Sequence, residues 1–256
     1  MKRTLALLLA LVLTFAATAA AELSQKGDLF VHFGGAISPK ALPRDSLAPI
    51  TVRIEGRIKT TSAQAPPALR KIEVALNRGG QIDARGLPLC RQSQIELATS
   101  AQALSACGPA LIGSGGIVAI ADAGGRPDVL IRGEVLLFNA REGGRQAILA
   151  HIFQTQPAAS TRLVVFHIRH TGGRFGTLIS ASLPPSLNRH GYLTQIFLTL
   201  QRKFTVHGRA HSYISASCAA PPGFTAASFP FAKVSMSFSD GRTLSSTMER
   251  TCRVRG

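Results

Sequence analysis

Ile50-Thr51-Val52-Arg53-Ile54-Glu55-Gly56-Arg57-Ile58 decides the fold class. Ile50, Val52, Ile54 and Ile58 occupy alternate positions, with Arg53, Glu55 and Arg57 between them. A period of two puts apolar side chains on one face of an extended chain and charged ones on the other, the signature of a half-buried β-strand. The pattern returns at Ile72, Val74 and Leu76 against Lys71, Glu73 and Ala75. It returns again at Val234, Met236 and Phe238 against Ser235, Ser237 and Ser239. Asp240-Gly241 follows as a two-residue hairpin signal, which makes 242–252 the return strand. Further strands are expected at 28–33, 115–121, 128–139, 146–154, 162–170, 175–182, 192–205 and 211–219. Pro66-Pro67 and Arg78-Gly79-Gly80-Gln81 punctuate the chain as loop and turn.

One helical stretch stands out at 92–105, with Ile95, Leu97, Ala101 and Leu104 as its apolar positions. Thr99-Ser100 splits it into two short helices, and Gly108-Pro109 ends it. Many strands and little helix predict a mainly β chain, an antiparallel β-sandwich or jelly roll. Its short helical insertion lies between Cys90 and Cys107, and residues 22–256 read as a single domain.

Residues 1–21 read as a secretory signal peptide. Lys2 and Arg3 precede an apolar run from Leu5 to Phe15, and Ala19-Ala20-Ala21 offers a small-residue cleavage site before Glu22. This predicts an exported protein, secreted or held in the cell wall or periplasm. No later stretch is apolar for long enough to predict a membrane span. In an oxidising compartment Cys90, Cys107, Cys218 and Cys252 form disulfides. Four cysteines allow three pairings, of which the local one, Cys90–Cys107 with Cys218–Cys252, is simplest. Chain-entropy arithmetic assigns those bridges about 3 and just under 4 kcal/mol. The spacings match neither a redox motif nor a zinc site.

The chain carries 29 Lys and Arg against 13 Asp and Glu, a formal charge of +16. Between Glu142 and Asp240 there is no acidic residue. Such a surface attracts anionic envelope polymers or lipid headgroups, although genome composition alone can enrich arginine. With 13 Phe, two Tyr and no Trp, the chain is poor in residues that build sugar platforms or stack bases, so nucleic acid is disfavoured as a partner. Arg202, Lys203 and Arg209, with the flanking histidines, are the candidate polyanion-binding residues. On a continuous strand 192–205, Arg202 and Lys203 point to opposite faces.

The order of several segments is familiar: Leu42-Pro43-Arg44, Ala48-Pro49-Ile50, Gly56, Pro66-Pro67 and Leu69, then Gly86-Leu87-Pro88-Leu89-Cys90. Cys107 with Gly113-Ser114-Gly115 follows, and the series ends in Cys218, Phe238-Ser239-Asp240-Gly241 and Cys252. Over nearly all of the chain after the leader this resembles a group of exported bacterial proteins of actinobacterial type with no established activity. The resemblance implies a β-rich fold with two local disulfides. It implies no site residues, because the shared motifs are structural punctuation.

Catalytic and metal chemistry find little footing. His167-x-x-His170 and His207-x-x-x-His211 have metal-site spacings, but on strands such pairs diverge or stand apart. Gly113-Ser114-Gly115-Gly116 lacks the Gly two residues before Ser that a nucleophile elbow requires, and reads as a glycine-permitted bend at a strand. That stretch and Gly124-Gly125-Arg126 both lack a P-loop ending. Few acids and no Trp leave little for a glycosidase cleft. Nothing points to a metal or a cofactor. The preferred reading is an exported, non-enzymatic β protein with a structural or binding role at the envelope. The alternatives are an extracellular hydrolase built from dispersed residues and a carrier of a small apolar ligand between β layers.

Overall fold

The computed structural model describes residues 22–62, 64–121, 129–184 and 191–255. The leader 1–21 and Gly124-Gly125-Arg126 lie outside the described residues. The strands in chain order are β1 (Glu22–Lys26), β2 (Leu29–Ser38), β3 (Ala41–Leu42), β4 (Ala48–Pro49), β5 (Thr51–Thr60), β6 (Leu69–Asn77) and β7 (Gly80–Ile82). Two short helices follow, α1 (Gln92–Ile95) and α2 (Ser100–Cys107), with a 3-10 turn at Gly108–Ala110. Then come β8 (Leu111–Ala121), β9 (Val129–Glu142), β10 (Arg145–Gln154), β11 (Ser160–His170), β12 (Phe175–Ser182) and β13 (Gly191–Leu200). The remainder is β14 (Lys203–Val206), β15 (Arg209–Ser212), β16 (Ile214–Ala216), β17 (Ala226–Phe238) and β18 (Thr243–Val254). The chain is mainly β, as its alternation predicts.

Thirteen strands form one sheet in the order β1-β2-β5-β13-β8-β9-β10-β11-β12-β6-β17-β18-β3. Every pairing is antiparallel except the short one between β18 and β3. A twisted sheet of this width curls, because the rotation between neighbouring strands accumulates. Here it curls until its ends meet, and β18 packs against β1 and β2. Side chains stitch the meeting edges. The Glu22 carboxylate accepts from the Glu249 amide at 2.9 Å and from Arg250 Nη1 at 3.3 Å. Arg250 Nε donates to the Gly35 carbonyl at 2.8 Å. Arg242 Nη1 reaches Asp28 at 2.6 Å and the Lys26 carbonyl at 2.9 Å, and hydrogen bonds from Arg242 and Ser62 hold the Asp28 carboxyl below its usual pKa.

The curl leaves an apolar interior that takes one face of every long strand. On β5 it takes Val52, Gly56 and Ile58, while Arg53, Glu55 and Arg57 stay exposed. The middle of the sheet is buried on both faces. Val135 and Leu137 of β9 and Ile148 and Ala150 of β10 point inward. Leu136, Phe138, Ala140, Ala147 and Leu149 point outward into a second cluster with Cys90, Ile95, Ala103 and Cys107. The helical insertion is therefore a lid on the outer face of β9 and β10. It divides at Thr99, as the Thr99-Ser100 pair predicts. The Thr99 hydroxyl accepts from the Gln102 amide at 3.3 Å, and the Gln102 side chain accepts from the Thr99 amide at 2.8 Å. A cap of this kind stabilises a helix by about 1 kcal/mol.

Both disulfides are the local ones. Cys90–Cys107 spans 17 residues and closes the insertion; Cys218–Cys252 spans 34 and ties the chain after β16 to β18. A three-stranded sheet, β4-β16-β7, adds Ala48, Ile82, Ile214 and Ala216 to the same core. Tyr213 beside it is fully buried near Gln146 at the start of β10, and burial holds its phenol well above the usual pKa.

Two expected strands are each broken. The stretch 192–205 stops at Leu200, where pairing with Val52 of β5 ends, and resumes at Lys203 as β14. The stretch 211–219 is divided at Tyr213, whose amide donates to the Arg202 carbonyl at 2.9 Å. The result is a separate hairpin, β14–β15, turning at His207-Gly208 with positive φ at both residues.

Candidate functional site

The interior is not filled. A cavity of about 300 Å³ lies inside the curled sheet. Its walls come from β8 (Ile117, Ala119), β9 (Ile131, Val135), β10 (Ala150, Ile152), β11 (Val164, Phe166) and β13 (Leu193, Ile196, Leu198). A second void of about 110 Å³ lies among Phe33, Val74, Ile179, Met236 and Met248. Ile72, Leu137, Phe166, Ile196 and Leu198 line both, so the two adjoin. Protein interiors are normally packed to crystal density, and an apolar void costs stability. A void of this size maintained by strands from all round the sheet is the most distinctive feature of the fold.

The larger cavity has a direction. Its polar residues are Gln154, Arg162 and Tyr192, at the end of β10 and the beginnings of β11 and β13. Pro157, between β10 and β11, lines the same end. Strand register explains how a charged residue reaches an apolar chamber. Arg162 pairs with Ile152, and Val164 with Ala150, so Arg162 shares the inward face of β11 with Val164, Phe166 and Ile168. Its Nη1 donates to the Thr161 carbonyl at 3.2 Å, and its side chain is exposed at the rim. Ile82 and Ile214 of the three-stranded sheet line the smaller void instead. Along β10 the distance from Gln146 to Gln154 is about 26 Å at a strand's rise per residue.

A glycine seam shapes one wall. Gly113 and Gly115 of β8 lie against the backbone of β13. A Cβ on Gly115 would stand 2.0 Å from the Phe197 carbonyl oxygen and 2.8 Å from Leu198 Cα. The glycine run read as a strand bend is thus a site of close backbone approach between two cavity-lining strands.

Arg202, Lys203 and Arg209 do not converge. Arg202 sits in the break between β13 and β14, with its Nη2 donating to the Pro109 carbonyl at 3.3 Å. Lys203 pairs with Ser212 and Arg209 with Val206, at opposite ends and on opposite faces of the β14–β15 hairpin. The histidine pairs also separate. His211 stacks on Phe204 with ring centroids 5.6 Å apart, and its Nδ1 lies 3.5 Å from Asp83 Oδ2. His207 sits at the turn. His167 and His170 are exposed on β11. Among the described residues the fully buried histidine is His151, whose Nε2 lies 2.8 Å from the Ala98 carbonyl oxygen and so fastens the helical insertion to β10. Among the described residues, no group of three or more His, Cys, Asp or Glu is placed to hold a metal ion, and no serine hydroxyl hydrogen-bonds to a histidine.

Arg162 is the functional candidate that sequence reasoning passed over. The signal was present: a cation at the start of a strand, in phase with its apolar face. Charges at strand ends usually reach water, and nothing local shows that this one borders a cavity. No helix among the described residues is long and apolar enough to cross a membrane. Comparison of the chain with protein-family models, curated proteins and solved structures returned no match.

Proposed function

We propose that the protein is an exported, non-enzymatic carrier of a small apolar or amphipathic ligand. The observation that carries this reading is the apolar cavity of about 300 Å³ inside the curled sheet, whose polar lining, among the described residues, gathers at one end. Ligand sites are typically concave, mostly apolar and marked by a few convergent polar groups, at volumes from about 300 Å³ upward. The leader-like segment 1–21 and the four cysteines support export, as does the resemblance to exported bacterial proteins. The +16 charge supports a second element, weak association with anionic envelope polymers or lipid headgroups. The exposed Arg53, Arg57 and Lys59 of β5 face outward for such contacts.

The test is titration of the purified protein with N-phenyl-1-naphthylamine, a neutral dye that fluoresces in apolar surroundings. Saturable binding at one site is expected. Ala119→Leu, which adds three carbons to the cavity wall, should weaken it at least tenfold while the thermal unfolding midpoint holds or rises. No saturable binding, or binding indifferent to Ala119→Leu, would overturn the carrier reading. Retention on anionic vesicles at low salt and release at high salt tests the association separately.

A further inference from the structure

The polarity of the cavity is one-sided, and its sign is positive. Among the described residues Arg162 is its only charged lining residue, and no carboxylate lines it. Among the described residues Arg162 has no ion-pair partner, and its hydrogen bond to Thr161 uses one nitrogen of the guanidinium. A guanidinium carries five donors in a planar fork suited to carboxylate and phosphate oxygens. The lining residues that β10, β11 and β13 give this end fall in the acid-free span between Glu142 and Asp240, while the connection 122–128 between β8 and β9, with Asp122 and Asp128, lies outside the described residues. Gln154 and Tyr192 lie at the same end and add polar groups beside the charge. Below them the walls are aliphatic and aromatic, down to Phe166 and Ile196.

We infer that the cavity takes a single-chain amphiphile with an anionic head, its tail inside the sheet and its carboxylate or phosphate monoester at Arg162. This rests on the carrier reading and adds the chemical class of the ligand. Volume sets the tail. A cavity of roughly 150 Å³ admits benzene, so about 300 Å³ corresponds to a chain of roughly a dozen carbons. A charge-assisted hydrogen bond at a rim shielded on one side by apolar walls then discriminates the anion from a neutral head.

The experiment is displacement of N-phenyl-1-naphthylamine by dodecanoate, dodecyl phosphate and dodecanol, with wild type and Arg162→Gln, each checked for a cooperative unfolding transition. One or both anions should bind about tenfold or more tightly than dodecanol, and Arg162→Gln should reduce that ratio to near one. Whichever anion is preferred identifies the head. Equal affinity of wild type for acid, phosphate and alcohol would overturn the inference and leave the carrier reading in place. A preference for anions that survives Arg162→Gln would overturn the assignment to Arg162. If the dye does not bind at all, the carrier reading falls and this inference falls with it. Arg162→Lys separates charge from fork geometry, and partial retention of the preference is expected.

Discussion

Replacing Gly115 by alanine tests the seam that shapes the cavity wall. The added Cβ would stand 2.0 Å from the Phe197 carbonyl oxygen, 2.8 Å from Leu198 Cα and 2.9 Å from Phe197 C, all backbone atoms of β13. A side chain could rotate away, but β13 cannot, because it is paired with β5 on one side and β8 on the other. The two strands must separate by about 1 Å or more to reach ordinary contact, where attraction gives way to repulsion inside roughly 3.5 Å. Overpacking of this kind costs about 1–3 kcal/mol, and stretching one or two ladder hydrogen bonds adds about 1 kcal/mol each. The expected loss is about 2–5 kcal/mol, or roughly 4–20 °C in unfolding midpoint for a chain of this size. Gly172→Ala is the control. It has open space around its Cβ position and no positive φ, so it should leave stability unchanged or raise it by about 0.4–1 kcal/mol. Urea unfolding of the oxidised protein, with equal slopes for the variants, reads the difference. A Gly115→Ala variant within about 1 kcal/mol of wild type would refute the close approach and, with it, the position of β8 in the cavity wall.

Two further expectations concern the frame around the cavity. Replacing Cys218 and Cys252 together by alanine should destabilise the fold by just under ~4 kcal/mol, and replacing Cys90 and Cys107 by about 3 kcal/mol, since doubling a loop adds only about 0.6 kcal/mol. Chemical denaturation of both double variants checks the order, and a costlier Cys90–Cys107 loss would show that the helical lid, not loop entropy, dominates. The second expectation concerns pH. The Arg85 side chain holds the Asp83 carboxyl at about 2, below its ordinary 3.8, with the Arg85 amide and His211 also facing it. The unfolded chain takes up this proton first, so the contribution is present above pH 3.8 and is lost as pH falls toward 2. With Arg85 largely in water, the contribution is no more than about 1 kcal/mol. Asp83→Asn should therefore lower stability slightly at pH 6 and by only a small fraction of that at pH 2, where the folded carboxyl is about half protonated, measured by thermal unfolding across that range. An unchanged gap at pH 2 would show that Asp83 acts through packing instead.

The strands were legible wherever alternation was uninterrupted. Ile50 to Ile58, Ile72 to Leu76 and Val234 to Phe238 each announce a buried face, because the period of two is a property of the extended backbone itself. The split at Thr99 was legible too, since a Thr followed three residues on by Gln is a local capping signal. The end of β13 at Leu200 was not. Apolar alternation resumes at Phe204 and Val206 after Gln201-Arg202-Lys203, and the strand stops because its neighbours β5 and β8 stop pairing there, at Val52 and Gly113. Val135 to Phe138 is an unbroken apolar run, and only the helical lid on its outer face explains why both faces are buried.

Sequence alone therefore determined the strand-rich class, the buried face of each alternating strand and the helical insertion, all set by contacts within a few dozen residues, while the structure selected the local cysteine pairing from the three that sequence allows. Tertiary structure alone decided that β13 inserts between β5 and β8, that β17 pairs with β6, and that β18 meets β1 and β2 to close the curl. The cavity, and the position of Arg162 at its rim, follow from that closure. Their cause is non-local: whether an inward-facing side chain meets a neighbour or a void depends on strands far apart in the chain, and on how far accumulated twist carries one wall from the other.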